Sequence, residues 1–170
     1  MDINDIMAVD PYLDGTIGDI VIDDDQAEAK GGKWLGSQGP SAPLPDDKVK
    51  REDNEHLSED GVYGPTCLVG KADEGSVEYK AVIPEDGIYD IYTYHHTSGG
   101  HCPEVFFDFS DGTTESVKTS DVVIVGQSVS TWHKVTTREL KKGQEFVTNL
   151  RGDGGNGTVC ADALMLVRKK

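Results

Sequence analysis

The sequence predicts an all-β protein, an antiparallel, jelly-roll-like β-sandwich of about nine or ten strands. Two segments, 87–96 and 158–166, support this most directly, because each alternates in the manner of a strand and follows a turn. Turn signals also recur at intervals of roughly 8–12 residues, which is typical of sandwiches and barrels. No segment is a persuasive helix, and no internal repeat is visible.

The predicted strands follow one another with turn chemistry between them. A turn at 84–87 carries proline and glycine, and Asp111-Gly112 is a strong signal for a two-residue hairpin. The last strand is expected to place four residues on one face: Ala161, Ala163, Met165 and Val167. The segments with strand character are 19–23, 33–36, 61–69, 76–83, 88–95, 105–109, 113–118, 121–125, 132–140, 144–151 and 158–167.

Length and composition indicate one domain with a strongly acidic surface. We expect a flexible arm or linker over 1–18 and a single β-sandwich domain over 19–170, with a long charged loop at 37–61. The net charge is −15, from 31 acidic and 16 basic residues, so the surface repels phosphate backbones and anionic lipids. Nucleic acid and membrane are therefore not expected as partners. No run of residues is apolar and long enough to span a bilayer, and none has the form of a signal peptide.

Cysteine and histidine provide a small set of reactive groups. The three cysteines, Cys67, Cys102 and Cys160, leave at least one unpaired, and they allow one disulfide but not a disulfide scaffold. His95, His101 and Cys102 have the chemistry of zinc ligands, although their spacing matches no standard zinc pattern. Neither a Gly-x-Ser-x-Gly nor a His-Glu-x-x-His motif occurs. A metal-dependent hydrolase is one alternative, but we predict that the protein is not an enzyme.

Five short motifs occur in a particular order: DIVIDD at 19–24, GKW at 32–34, IPEDGIYDIY at 83–92, WHKV at 132–135 and VCADA at 159–163. In this order they resemble the golvesin C-terminal / xanthan lyase-like domain, a β-sandwich module of bacterial multidomain proteins, and more loosely the jelly-roll carbohydrate-binding modules. The resemblance implies a noncatalytic accessory or binding module, associated with carbohydrate or the cell surface and located outside the cell or in the periplasm. The histidine pair at 95–96 and the long loop at 37–61 depart from the family pattern.

Five residues are candidates for contacting a glycan at one end of the expected sandwich. Sugar rings stack on exposed aromatic faces, while polar neighbours bind the hydroxyl groups at the ring edge. The candidates are Trp34, Tyr63, Tyr94, His95 and His101. The aromatic residues have a simpler structural role as well, because a sandwich core needs large side chains. The expected partners are a glycan and other domains of a parent protein. The alternative is a domain-packing module with a large apolar patch on one sheet and no small ligand.

Acidic residues near both ends of the domain form a candidate metal site. The first and last strands of a sandwich are commonly neighbours, so the acidic residues Asp23, Asp24, Asp25 and Glu28 are expected to converge with Asp162. We select Asp23, Asp24 and Asp162 as the metal ligands. Ca²⁺ takes 6–8 oxygen ligands, which carboxylates and backbone carbonyls supply. The resemblance to jelly-roll modules implies a structural Ca²⁺ in a similar place. The alternative is that Asp162 caps or pairs locally and stabilises a turn, in which case no cofactor is expected.

Overall fold

The structure is a computed structural model, and it describes residues 20–37, 67–97, 100–118 and 129–169. These residues form one short 3-10 turn, Asp24–Gln26, and twelve strands: β1 Ile20–Ile22, β2 Glu28–Lys30, β3 Leu35–Ser37, β4 Cys67–Lys71, β5 Ser76–Val82, β6 Gly87–Thr97, β7 Glu104–Phe109, β8 Thr114–Lys118, β9 Val129–Leu140, β10 Glu145–Arg151, β11 Thr158–Ala161 and β12 Leu164–Arg168. The predicted arm at 1–18, most of the loop at 37–61 and the apolar run at 121–125 lie outside the described residues. In the described ranges, no helix has the length and apolar character to cross a membrane.

The strands form three antiparallel sheets. The first sheet has the order β1-β12-β6-β9, the second β2-β5-β10-β7-β8 and the third β11-β4-β3. The first two sheets enclose the main core, in which Ile91 and Leu166 of the first sheet share one cluster with Phe107 and Leu150 of the second. All four side chains are fully buried. The predicted all-β, jelly-roll-like sandwich is therefore confirmed.

The alternation expected from the sequence is clearest in the second sheet. In β7, Val105, Phe107 and Phe109 are buried, while Phe106 and Asp108 are only partly buried. β10 lies beside β7 and repeats the pattern. Successive side chains of a strand point to opposite faces, so this period of two places every second residue in the core.

The hairpin between β7 and β8 includes the predicted pair, but its loop has three residues, Ser110 to Gly112, and not two, because Gly112 N–H donates to the Phe109 carbonyl oxygen at 3.0 Å and Phe109 N–H donates to that of Thr113 at 2.9 Å. Gly112 has a φ of +86°, a conformation that glycine adopts without steric cost. Asp111 supports the turn with its side chain, because its Oδ1 accepts a hydrogen bond of 2.9 Å from the backbone N–H of Thr113. Local sequence alone therefore explains this connection.

The last predicted strand is interrupted between β11 and β12. Ala161 packs in the main core, whereas Ala163 and Met165 pack in a second cluster with two tyrosines of β6. The prediction that Ala161 and Ala163 share a face is therefore wrong. Two residues, Asp162 and Ala163, separate the strands, and this irregularity shifts the alternation by one position. The split and the short strand β2, which lies outside the segments predicted as strands, raise the strand number above the prediction.

Two other strands converge on this interruption. β1 pairs with β12, and its last residue, Ile22, lies opposite Leu164. β4 pairs with β11, and Leu68 lies opposite Ala161. The end of β1 and the start of β4 therefore both lie next to Asp162. The interruption brings residues that are distant in sequence to one place in the fold.

Candidate functional site

Three carboxylates converge where β11 gives way to β12. Oxygen atoms of Asp23, Asp24 and Asp162 all lie within 4.8 Å of one another. The three residues, here called the acidic cluster, are buried, with exposed fractions of 1%, 6% and 0% respectively. The sequence predicted this meeting from the neighbouring positions of the first and last strands, and the structure brings together the three residues named for it.

The first two members of the acidic cluster are positioned by the 3-10 turn that follows β1. Asp23 is the N-cap residue of this turn, and its Oδ1 accepts a hydrogen bond of 2.9 Å from the backbone N–H of Asp24. In return, the backbone N–H of Asp23 donates to Oε1 of Gln26 at 3.2 Å, which completes a capping box. The capping box fixes Asp23 and Asp24 side by side. The next residue, Asp25, is exposed and outside the cluster.

Tyr79 of β5 connects the acidic cluster to the main core. Its hydroxyl donates a hydrogen bond of 2.9 Å to the backbone carbonyl oxygen of Asp162. Burial, and then the negative charge of Asp162, raise the pKa of Tyr79 well above its ordinary value of 10.0, and Asp23 and Asp24 add to this effect. The hydroxyl therefore stays protonated and remains a donor. The bond holds the interrupted segment in place from the side of the second sheet.

The acidic cluster has the donor chemistry of a site for a hard cation. Carboxylate and carbonyl oxygens are the ligands that Ca²⁺ prefers, and the cluster supplies three carboxylates in a buried position. Neighbouring carboxylates repel one another strongly where solvent is excluded, and a divalent ion between them relieves this repulsion. In the described ranges, neither His101 nor Cys102 belongs to a group of three potential metal ligands. The hydrolase alternative also depends on His95, whose side chain lies outside what the structure describes, so it stays a prediction.

The two predicted aromatic ligand residues that the structure describes have structural surroundings. Trp34 is half buried and packs against the main core. A methyl group in place of the hydrogen of Gly70 would lie 2.6 Å from carbons of the Trp34 ring, so the indole rests directly on the backbone of β4. Tyr94 is fully buried in the second cluster. The ligand roles of both residues stay predictions, and Tyr63 lies outside the described residues.

The two predicted histidines lie towards one end of the sandwich. The backbone of His95 lies near the C-terminal end of β6, opposite Thr131 of β9. His101 is half buried and forms an isolated parallel bridge with Thr158 at the start of β11. Cys102 N–H donates to the Thr158 carbonyl oxygen at 2.8 Å, and Thr158 N–H donates to that of Gly100 at 3.1 Å. The segment around His101 is therefore fixed by backbone hydrogen bonds.

Close backbone contacts make this end of the sandwich a single packed unit. The loop at 152–157 is bonded to the turn after β4, because Gly154 N–H donates to the Ala72 carbonyl oxygen at 3.0 Å and Ala72 N–H donates to that of Gly157 at 2.9 Å. A methyl group on Gly157 would lie 2.7 Å from the backbone nitrogen of Cys102. We call residues 100–102 and 152–158 the loop end. Its glycine-rich sequence was visible, but the contacts of Ala72 and Cys102 were not predicted.

No protein-family model and no curated protein matches the sequence, but solved structures match its fold. A xanthan lyase from Paenibacillus aligns with a TM-score of 0.61 and 20% identity over 92% of this chain. A family 35 carbohydrate binding module from Clostridium thermocellum aligns with a TM-score of 0.55 and 10% identity over 88% of this chain. CBM35 from Cellvibrio japonicus Abf62 aligns with a TM-score of 0.51 and 14% identity over 89% of this chain.

The matched proteins differ in the fraction of their own length that this chain covers. The chain spans 13% of the xanthan lyase and 30% of an exo-beta-1,3-galactanase from Phanerochaete chrysosporium. It spans 98% and 94% of the two carbohydrate-binding modules. At these identities the likeness shows the fold alone, so the golvesin part of the predicted resemblance stays a prediction. The chain has the β-sandwich fold seen in carbohydrate-binding modules.

Proposed function

We propose that this chain is a noncatalytic, carbohydrate-binding accessory module. One observation carries the proposal: the fold matches two carbohydrate-binding modules over nearly their whole length and nearly the whole of this chain. The small share of the xanthan lyase that the chain spans also fits a module carried by a larger, multidomain protein. Such a parent protein would work outside the cell or in the periplasm, where polysaccharides are met, and its other domains would be the module's neighbours.

The proposed glycan surface is the loop end. Binding residues are commonly carried on loops that a rigid scaffold positions, and here backbone hydrogen bonds hold the loops together. The surface offers the half-buried His101 and the exposed Asp153 and Asn156, whose side chains can bond sugar hydroxyls. His95 and Tyr63 stay predicted ligand residues.

A binding assay on the whole chain tests the glycan proposal. The purified protein is applied to an array of plant and bacterial polysaccharides, xanthan included, and each positive is measured by isothermal titration calorimetry. We expect His101→Ala and Asn156→Ala to weaken binding about tenfold or more, at an unchanged thermal midpoint. Lys141→Ala is the matched control, because Lys141 is exposed in the turn before β10, at the opposite end from the loop after β10. A folded chain that binds none of the polysaccharides contradicts the proposal.

We further propose that the acidic cluster holds a structural Ca²⁺. The support is the burial of three carboxylates within 4.8 Å of one another beside the Asp162 backbone. When bound, the ion would supply charge balance and would tie β1 to the β11–β12 interruption, with Asp23, Asp24 and Asp162 as its protein ligands. The test is thermal unfolding in EDTA and in millimolar CaCl₂. An unchanged midpoint contradicts the calcium proposal and leaves the glycan proposal untouched.

A further inference from the structure

Two of the three cysteines share one small buried cluster. Cys67 is the first residue of β4, and Cys160 is in β11, the strand with which β4 pairs. These two residues form the cluster, and Val69 packs against it. Cys160 lies directly opposite Val69 in the antiparallel register. Cys67 is two residues from Val69 and therefore on the same face, which makes the cysteines diagonal cross-strand neighbours.

The third cysteine has different surroundings. Cys102 is in the main core and not in the cluster with the other two. Its thiol donates to the backbone carbonyl oxygen of Glu104 at 3.1 Å, and burial raises its pKa. The fold therefore pairs Cys67 with Cys160 and separates both from Cys102.

The position of the pair within the strands allows a covalent bond. Diagonal neighbours in an antiparallel sheet have Cα atoms about 7–8 Å apart with the Cβ atoms closer, which is slightly beyond the usual range of up to about 6.8 Å for a disulfide. A small approach of the two backbones is needed. The last pair of the β4–β11 ladder is Leu68 with Ala161, so Cys67 and Cys160 lie at the end of the ladder and the approach does not involve its middle.

We propose that Cys67 and Cys160 form a disulfide when the chain folds in an oxidising compartment, a property that does not depend on glycan binding. With a glutathione-type disulfide as oxidant, one cysteine thiolate attacks a sulfur of the oxidant and displaces one glutathione thiolate. The second cysteine then attacks the resulting mixed disulfide and displaces the other glutathione. One sulfur–sulfur bond breaks and one forms, and the two protons from the cysteines end on the two glutathione thiols. The new bond closes a long loop, which favours the folded state.

Oxidative refolding of the unmodified chain tests this assignment. The chain is reduced and unfolded, refolded in a mixture of oxidised and reduced glutathione, alkylated in denaturant at a pH that prevents thiol exchange, and mapped by mass spectrometry without reduction. We expect a peptide link between Cys67 and Cys160, a loss of two hydrogen atoms in mass and an alkylated Cys102. The oxidised chain should melt about 5 °C or more above the reduced chain.

Retention of all three thiols after refolding overturns the proposal, and so does a link that includes Cys102. Cys102→Ser is the matched variant, because it should still lose both remaining thiols. Cys67→Ser and Cys160→Ser should each prevent the link. The main measurement uses the unmodified chain, so it decides the question even where a serine variant fails to fold.

Discussion

Two acidic sites in this molecule, Asp108 with its partners and the acidic cluster, have different surroundings. Asp108, on the outward face of the second sheet, is paired with Arg151, whose Nε lies 2.6 Å and Nη2 3.2 Å from its two carboxylate oxygens. Thr114 donates a further hydrogen bond of 2.7 Å, and the Arg151 guanidinium lies 4.8 Å from the centre of the Phe106 ring. The hydrogen bond from Arg151 lowers the pKa of Asp108 below its ordinary value of 3.8. Arg151 of the same chain therefore balances the charge of Asp108.

The acidic cluster differs in both burial and neighbours. Its three carboxylates lie close to one another and are almost fully buried, whereas the Asp108 side chain is 38% exposed. An ion pair at the surface is screened by solvent, so it contributes little and needs no further partner. Like charges that are buried repel one another strongly, so a bound cation lowers their free energy more than it lowers that of exposed charges. If the calcium proposal is correct, the chain's stability should respond to Ca²⁺ through the acidic cluster and not through its surface acids.

The largest expected effect separates the two groups by calcium response. At about 100 times the dissociation constant, a bound ion stabilises the fold by about 2.7 kcal/mol, which is about 5–10 °C in the thermal midpoint of a domain of this size. We expect Asp162→Asn to abolish this shift. In EDTA the same variant should melt at or above the temperature of the original chain, because one of three crowded charges is gone. Scanning calorimetry in EDTA and in about 10 mM CaCl₂, which is about 100 times a dissociation constant of about 0.1 mM, measures the calcium shift and the change in midpoint without calcium.

Asp108→Asn is the matched control for the calcium response. It removes one carboxylate from the surface group and leaves the acidic cluster intact, so the full calcium shift should remain. An equal loss of the shift in both variants would mean that Ca²⁺ acts through the overall negative charge of the chain.

A smaller effect is expected at the tyrosine that links the acidic cluster to the core. Tyr79→Phe removes the donor to the Asp162 carbonyl oxygen, and a buried acceptor left without its donor costs about 1–2 kcal/mol. Tyr89→Phe is a matched control, because Tyr89 is also fully buried and donates to a backbone carbonyl oxygen, that of Glu85, at 2.8 Å. Urea unfolding should show similar losses for both variants. Only Tyr79→Phe should weaken Ca²⁺ binding in a calorimetric titration, and equal affinities in both variants would contradict a positioning role for Tyr79.

The parts of the fold that could be predicted depend on local chemistry and on general sandwich topology. The alternation in β7 and the Asp111-Gly112 turn follow from residues that are adjacent in sequence. The meeting of Asp23 and Asp24 with Asp162 needed only the rule that first and last strands of a sandwich are neighbours. These features therefore did not require knowledge of the detailed register.

The features that were missed depend on register and on contacts between distant segments. The interruption at Asp162 puts Ala161 and Ala163 on opposite faces, and a single aspartate is too weak a turn signal to predict it. The contact of the Trp34 ring with Gly70 depends on the pairing of β3 with β4. The sequence shows a tryptophan and a glycine, but their contact exists only once the strands are paired. For the same reason the cysteine pair could not be chosen from spacing.

The smallest expected effect concerns the ion pair of Asp108 itself. Asp108→Asn should cost less than about 1 kcal/mol at pH 7, because the pair is partly exposed and screened. The pKa of Asp108 is lower in the folded chain than in the unfolded chain, so its contribution is present above the unfolded value. It is lost as the pH falls below about 3.8 and through the folded value. Urea unfolding should therefore show a lower free energy of unfolding for Asp108→Asn than for the original chain at pH 7, and no difference in strong acid.

Glu139→Gln is the control, because it breaks the more exposed pair with Lys141. It should change the free energy of unfolding very little at any pH. If Asp108→Asn still has a lower free energy of unfolding than the original chain in strong acid, its cost comes from lost packing against Arg151 and Phe106 and not from lost charge.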